Sequence, residues 1–178
     1  MAGELERTLA FIQSGQIRRL ACFASTPDEL LQLRHVALSG NGEPTLCPKF
    51  AQVVREVVHL RALGRFPFFE LVLVTNATGL DLPTVQQGLK FFTKQDEIWV
   101  KLDAGTQAYI SRVNWSKVGL DQVTAKILAL ARQRPVVIQS LFPSIAGEEP
   151  PEAEIEAYGQ RLAELRRAGG QISLVQVY

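Results

Sequence analysis

The chain is poor in the residues that most often hold metals. It has 2 cysteines and 2 histidines in 178 residues. Cys22 and Cys47 lie far apart, and neither sits in a CxxC or Cys/His cluster, so no sequence-local metal site is encoded. Two lone cysteines point to a reducing compartment rather than a disulfide framework. His35 and His59 have no candidate partner nearby in sequence. Excess charge of one sign is also lacking: 19 Lys+Arg against 18 Asp+Glu leave a formal net charge of +1. That gives no global pull toward nucleic acid or anionic lipid. The only adjacent arginine pairs, Arg18-Arg19 and Arg166-Arg167, fit solvated helix faces or loops. No apolar run approaches the roughly 20 residues that span a bilayer. Glu4 and Glu6 near the start leave no apolar stretch long enough for a signal peptide. These absences imply a cytoplasmic protein with neither a membrane nor a nucleic-acid partner.

What is present is ordinary globular composition, 47% hydrophobic and 21% charged, in a length that suits one domain spanning 1–178. Gly3 to Ser14 reads as a helix with Leu5, Leu9 and Ile12 on one face. Gln16 to Arg34 reads as a connector, with one helical turn started by Thr26-Pro27-Asp28-Glu29. His35 to Ser39 is the first strand. After a turn, Pro48 opens a helix to about Leu63, stopped by Gly64. Phe69 to Val74 is a nearly unbroken apolar run, as expected of a strand covered on both faces. Pro83 opens a helix to about Phe92, and Glu97 to Leu102 is the next strand. Helical segments follow at about Thr106 to Val113 and Leu120 to Gln133. Pro135 to Leu141 is a strand, a helix runs from the loop at Gly147 to Pro151 as far as Ala168, and Gln171 to Val177 is the last strand.

Strands and helices thus alternate with short loops. This pattern predicts right-handed βαβ units and an α/β fold, a partial (β/α) barrel of about five parallel strands with outer helices. Ligands in such sheets bind at the carboxyl ends of strands. Each strand carries polar residues at that end: Ser39 to Glu43, Thr75-Asn76, Lys101 and Asp103, Gln139-Ser140, and Gln176. Polar groups at the tips of apolar strands are costly unless satisfied, so five on one predicted rim mark a candidate site.

The turn Ser39-Gly40-Asn41-Gly42-Glu43-Pro44 is its most specific part. Two glycines let the backbone approach a ligand closely. Pro44 holds Glu43 extended, so nearby carbonyls splay outward. Carbonyls plus a carboxylate suit an ammonium or hydroxyl. A phosphate loop would offer free N–H groups and a lysine, and this turn has no basic residue. A plain βα connection would use the same glycines for geometry alone.

Ser39-Gly40-Asn41-Gly42-Glu43-Pro44-Thr45-Leu46 resembles the GGEP motif of radical S-adenosylmethionine enzymes. Thr75-Asn76 resembles their TNG element. Val100 to Gly105 followed by Arg112-Val113-Asn114 is similar to their SLDA…RxN stretch, and Leu174 to Tyr178 is similar to the last strand of the same subgroup. The subgroup is the iron–sulfur oxidoreductases related to wybutosine-synthesis enzymes, and the likeness runs from about Arg34 to Tyr178. It implies S-adenosylmethionine lying across the strand tips. Gly42 and Glu43 would receive the methionine ammonium, with Ser39, Gly40, Asn41 and Pro44 shaping the turn. Thr75 and Asn76 would line the neighbouring wall. Asp103 and Lys101 would face ribose or carboxylate, as would Gln139 and Ser140. The backbone around Val175 to Val177, with Gln176, would flank adenine. In intact relatives a 4Fe–4S cluster cleaves S-adenosylmethionine reductively to a 5′-deoxyadenosyl radical. Its CxxxCxxC ligands are absent here, as are a first strand before the Gly3 helix and the usual C-terminal extension. The resemblance therefore implies an S-adenosylmethionine-binding core that is inactive in radical chemistry as this chain. Two rivals stand beside it. One is a non-catalytic binding or assembly module, self-associating through an open edge at His35 to Ser39. The other is a different α/β enzyme with Glu43 or Asp103 as general base.

Overall fold

A computed structural model describes residues 2–113 and 118–178. It contains β1 (His35–Leu38), β2 (Glu70–Thr75), β3 (Glu97–Lys101), β4 (Val136–Ser140) and β5 (Ile172–Val177). The helices are α1 (Ala2–Gln13), α2 (Phe50–Ala62), α3 (Pro83–Leu89), α4 (Gln107–Val113), α5 (Leu120–Ala131) and α6 (Glu152–Arg167). The five strands form one sheet in the order β1-β2-β3-β4-β5, every neighbouring pair parallel. The fold is α/β, as expected, and matches a partial (β/α) barrel in its topology.

Consecutive strands that are also spatial neighbours, joined by right-handed crossovers, must send every helix to the same face. The burial pattern follows. Leu71, Leu73, Ile98, Val100, Val136 and Ile138 join the helices in one apolar core. Val72 and Val137 are buried too but lie outside that core, because successive strand side chains point to opposite faces. The register extends that second face into rows. Trp99 is level with Val137, which is level with Leu174, and Lys101 is level with Gln139, then Gln176.

Some helix limits differ from the sequence expectation; α3, expected to run to about Phe92, ends at Leu89. Pro48 does not open α2; a 3-10 turn at Pro44–Leu46 intervenes and the helix begins at Phe50. The connector holds the expected helical turn, as a 3-10 turn at Asp28–Leu30, and two further 3-10 turns, Gln16–Arg19 and Ala21–Phe23, none with a buried residue. Apolar side chains are present there, but none is buried against a neighbour to stabilise a longer helix.

At the amino ends of the strands, Asp96 holds the layers together. It is 4% exposed. Its carboxylate accepts from both terminal nitrogens of the Arg61 guanidinium (2.5 and 3.1 Å), from Leu71 N (2.8 Å), and from Thr93 N and Oγ1 (2.7 and 3.0 Å). One side chain thus ties α2, β2 and the turn before β3 together.

Candidate functional site

The parallel sheet delivers the polar strand tips to one rim. The β1–α2 turn is exposed from Ser39 through Gly42, and Gly40 has φ +147°, a value that side chains rarely adopt. Glu43 is half-buried and extended, with φ −80° and ψ 114°, as the residue before proline should be.

Glu43 faces the neighbouring strand rather than open solvent. Its Oε1 accepts from Thr45 N (3.0 Å), Thr45 Oγ1 (2.6 Å) and Thr75 Oγ1 (2.6 Å). Its Oε2 accepts from Asn76 N (2.7 Å). A carboxylate has about four lone-pair positions, so Oε1 is saturated and Oε2 keeps capacity for one more donor. Thr75 Oγ1 also accepts from Ala77 N (3.0 Å). The β1 and β2 tips are therefore tied through one acid and one hydroxyl. Gly79 lets the β2–α3 loop press onto this knot, since a Cβ there would lie 2.5 Å from Thr45 Oγ1 and 2.9 Å from Thr45 O. Thr75→Val removes one of the three donors to Glu43 Oε1 and leaves the buried Ala77 N without its side-chain acceptor. It should cost about 2 kcal/mol of stability, whereas Thr75→Ser should keep most of it; urea midpoints compare the two.

Asn76 Oδ1 accepts from Thr78 N and Oγ1 (3.0 and 2.6 Å), which leaves its amide nitrogen for other partners. Further along the rim, Asp103 Oδ1 accepts from Leu141 N (2.9 Å). Burial raises the Asp103 pKa above the ordinary carboxylate value, opposed by the Leu141 hydrogen bond and the Lys101 charge. Lys101 is exposed and shares its row with Gln139 and Gln176. Asn76, Lys101 and Asp103 also share a small cavity of about 20 Å³, too tight for more than a water. The rim thus collects two half-buried acids, one exposed lysine and several amides, while its enclosed space is small.

Ser140 is placed elsewhere. It is fully buried on the helix side. Its hydroxyl lies 2.7 Å from Leu102 O and 2.6 Å from the Tyr158 hydroxyl, and the alternation that turns Gln139 to the open face turns Ser140 away. Thr75, 1% exposed, is likewise committed to the knot. Asn114 lies outside the described residues.

Residues that sequence reasoning missed hold the rim in shape. Glu154, in the first turn of α6, is 5% exposed. It accepts from Gly105 N (2.6 Å), Thr106 N (3.1 Å) and Thr106 Oγ1 (2.6 Å). A carboxylate in a helix's first turn reads as a complement to the helix dipole, and nothing local signals that it reaches back 48 residues. Thr45 is the other omission, and its i+2 spacing from Glu43 was a usable signal.

No protein-family model matches this chain, and no curated protein matches it. Among the described residues, no group of three or more His, Cys, Asp or Glu is placed to hold a metal ion. Cys22 and Cys47 are both free and exposed.

Proposed function

We propose that this chain is an S-adenosylmethionine-binding core of the radical S-adenosylmethionine type. The supporting observation is the convergence of the β1, β2 and β3 tips at one rim, with Glu43 bonded across to Thr75 and Asn76. The rim chemistry fits this guest, whose ammonium and sulfonium outweigh its carboxylate. Glu43 and Asp103 against Lys101 leave the rim one negative charge in excess. The free lone pair of Glu43 Oε2 and the turn carbonyls would take the ammonium. Lys101 would take the carboxylate, Asp103 a ribose hydroxyl, and Gln139 and Gln176 the rest of the nucleoside. When bound, S-adenosylmethionine supplies a polarised carbon–sulfur bond; the chain's part is binding and orientation.

A 4Fe–4S cluster does not fit the residues present. Such clusters are held by cysteine thiolates, and two exposed thiols cannot supply three ligands. The reading is therefore binding without reductive cleavage. Calorimetric titration of the full chain with S-adenosylmethionine tests it. Binding is expected, and Lys101→Met and Asp103→Asn should each weaken it about 10-fold, near the lower bound for a hydrogen bond to a charged group. No heat, or equal affinity in all three proteins, overturns the assignment.

One observation favours the assembly reading. β1 and β5 are both sheet edges, and β5 leaves Leu174, Val175 and Val177 exposed, as is Tyr178 just after it. A long apolar edge is a template for pairing with another chain. Light scattering across a concentration series decides it, and a strict monomer removes this alternative.

A further inference from the structure

A second cavity lies at the opposite end of the sheet, away from the polar strand tips. It has a volume of about 710 Å³, within the usual range for small-molecule sites. It opens between the ends of α3 and α5 and the starts of β3, β4 and β5. Leu89, Phe92, Ile98, Leu130 and Val137 form apolar walls. Three cations border it: Lys90, Lys94 and Arg134.

Arg134 is held in place without being fully used. One terminal nitrogen donates to Thr93 O (2.8 Å) and Asp96 O (2.7 Å), and the guanidinium carbon sits 5.5 Å from the centre of the Phe92 ring. Its Nε is buried with no hydrogen-bond partner among the described residues. A buried donor left unsatisfied is costly. Lys90 and Lys94 are exposed and make no ion pair among the described residues. Two acids face the same space. Asp96 is neutralised by Arg61, and Glu97 accepts from Trp99 Nε1 (2.7 Å). The carbonyl ends of α3 and α5 also repel an anion. With Arg61 set against Asp96, three cations still face a single acid.

We propose that this cavity binds an amphipathic organic anion, a carboxylate carrying an aliphatic chain of medium length. The tail would occupy the Leu89–Phe92–Leu130 wall, and the carboxylate would meet Lys90, Lys94 and the Arg134 guanidinium. The site is independent of the S-adenosylmethionine reading, because it shares no residue with the polar rim.

Octanoate titrated into the full chain, followed by amide signals in two-dimensional NMR, tests this, with octylammonium as the matched cation. Octanoate is expected to shift Phe92, Lys94, Ile98, Leu130 and Gln133, and octylammonium to bind at least 10-fold more weakly. The double variant Lys90→Gln/Lys94→Gln, altered only at exposed positions, should lose about 5-fold in octanoate affinity. Arg134→Gln should lose about 10-fold where its spectrum shows the fold intact; if it does not fold, the lysine variant carries the test. Equal affinity for the two probes, unchanged affinity in the lysine variant, or shifts confined to the strand-tip rim or the Leu174 face each overturn the proposal.

Discussion

Gly105→Ala is expected to destabilise the protein by about 3 kcal/mol, the upper end of what overpacking costs. Gly105 lies between β3 and α4, under the first turns of α6. A Cβ at this position would clash with Tyr158 N and come within 2.5 Å of Ala157 C and 2.7 Å of Tyr158 Cα. These are backbone atoms of a helix and cannot rotate aside. Either α6 lifts or the loop retreats, and both separate Glu154 from Gly105 N and Thr106. Arg161 Nε, which donates to Gly105 O (3.0 Å), loses its partner too. For a chain of this size the melting temperature should fall by roughly 6–12 °C. Calorimetry reads it directly. A fall under 2 °C would mean that α6 does not bear on this loop. Glu154→Gln keeps the volume and loses the charge, so it should reproduce only part of the effect.

Asp96→Asn is expected to cost about 3–5 kcal/mol at neutral pH, the usual range for stranding one member of a buried ion pair. The Arg61 side chain is 8% exposed and that of Asp96 0%, so solvent screens little. The cost should also depend on pH, with a definite sign. Burial by itself would raise the Asp96 pKa, but hydrogen bonds from Arg61, Leu71 and Thr93 outweigh it and the folded value is lowered. A carboxylate depressed on folding stabilises the folded state above its unfolded pKa, about 3.9. That stability is lost as pH falls through the folded value. The gap between the natural protein and Asp96→Asn should therefore be widest at pH 6–7 and narrow steadily below about pH 4. Urea unfolding at pH 7 and pH 3 checks this; a gap independent of pH would show that charge is not what Asp96 contributes.

Much of this architecture was legible in the residues alone. Phe69 to Val74 and Pro135 to Leu141 read as buried strands because a parallel strand packed under helices needs apolar side chains along most of its length. β2 (Glu70–Thr75) and β4 (Val136–Ser140) lie within a residue of those limits. Alternation with short loops then left one economical topology. The strand tips were legible for the same reason, since a polar residue ending an apolar run is an exception that sequence displays. The partners of those residues were not. Gln139 and Ser140 look equivalent in sequence, yet one faces the open row and the other is sealed against Tyr158. Only the register and the placement of α6 separate them.

Taken alone, then, the amino-acid order determined the element types, their parallel arrangement and the rim on which the polar residues gather. Those follow from hydrophobic periodicity and chain connectivity, which act over short stretches of sequence. Tertiary structure alone decided that Glu43 bonds to Thr75 and Asn76 on the next strand and keeps one lone pair of Oε2 free, that Glu154 serves a loop 48 residues behind it, and that Asp96 and Arg61 meet across 35. Hydrogen bonds and ion pairs have ranges of a few ångströms, so their partners are chosen only after packing has brought distant segments together.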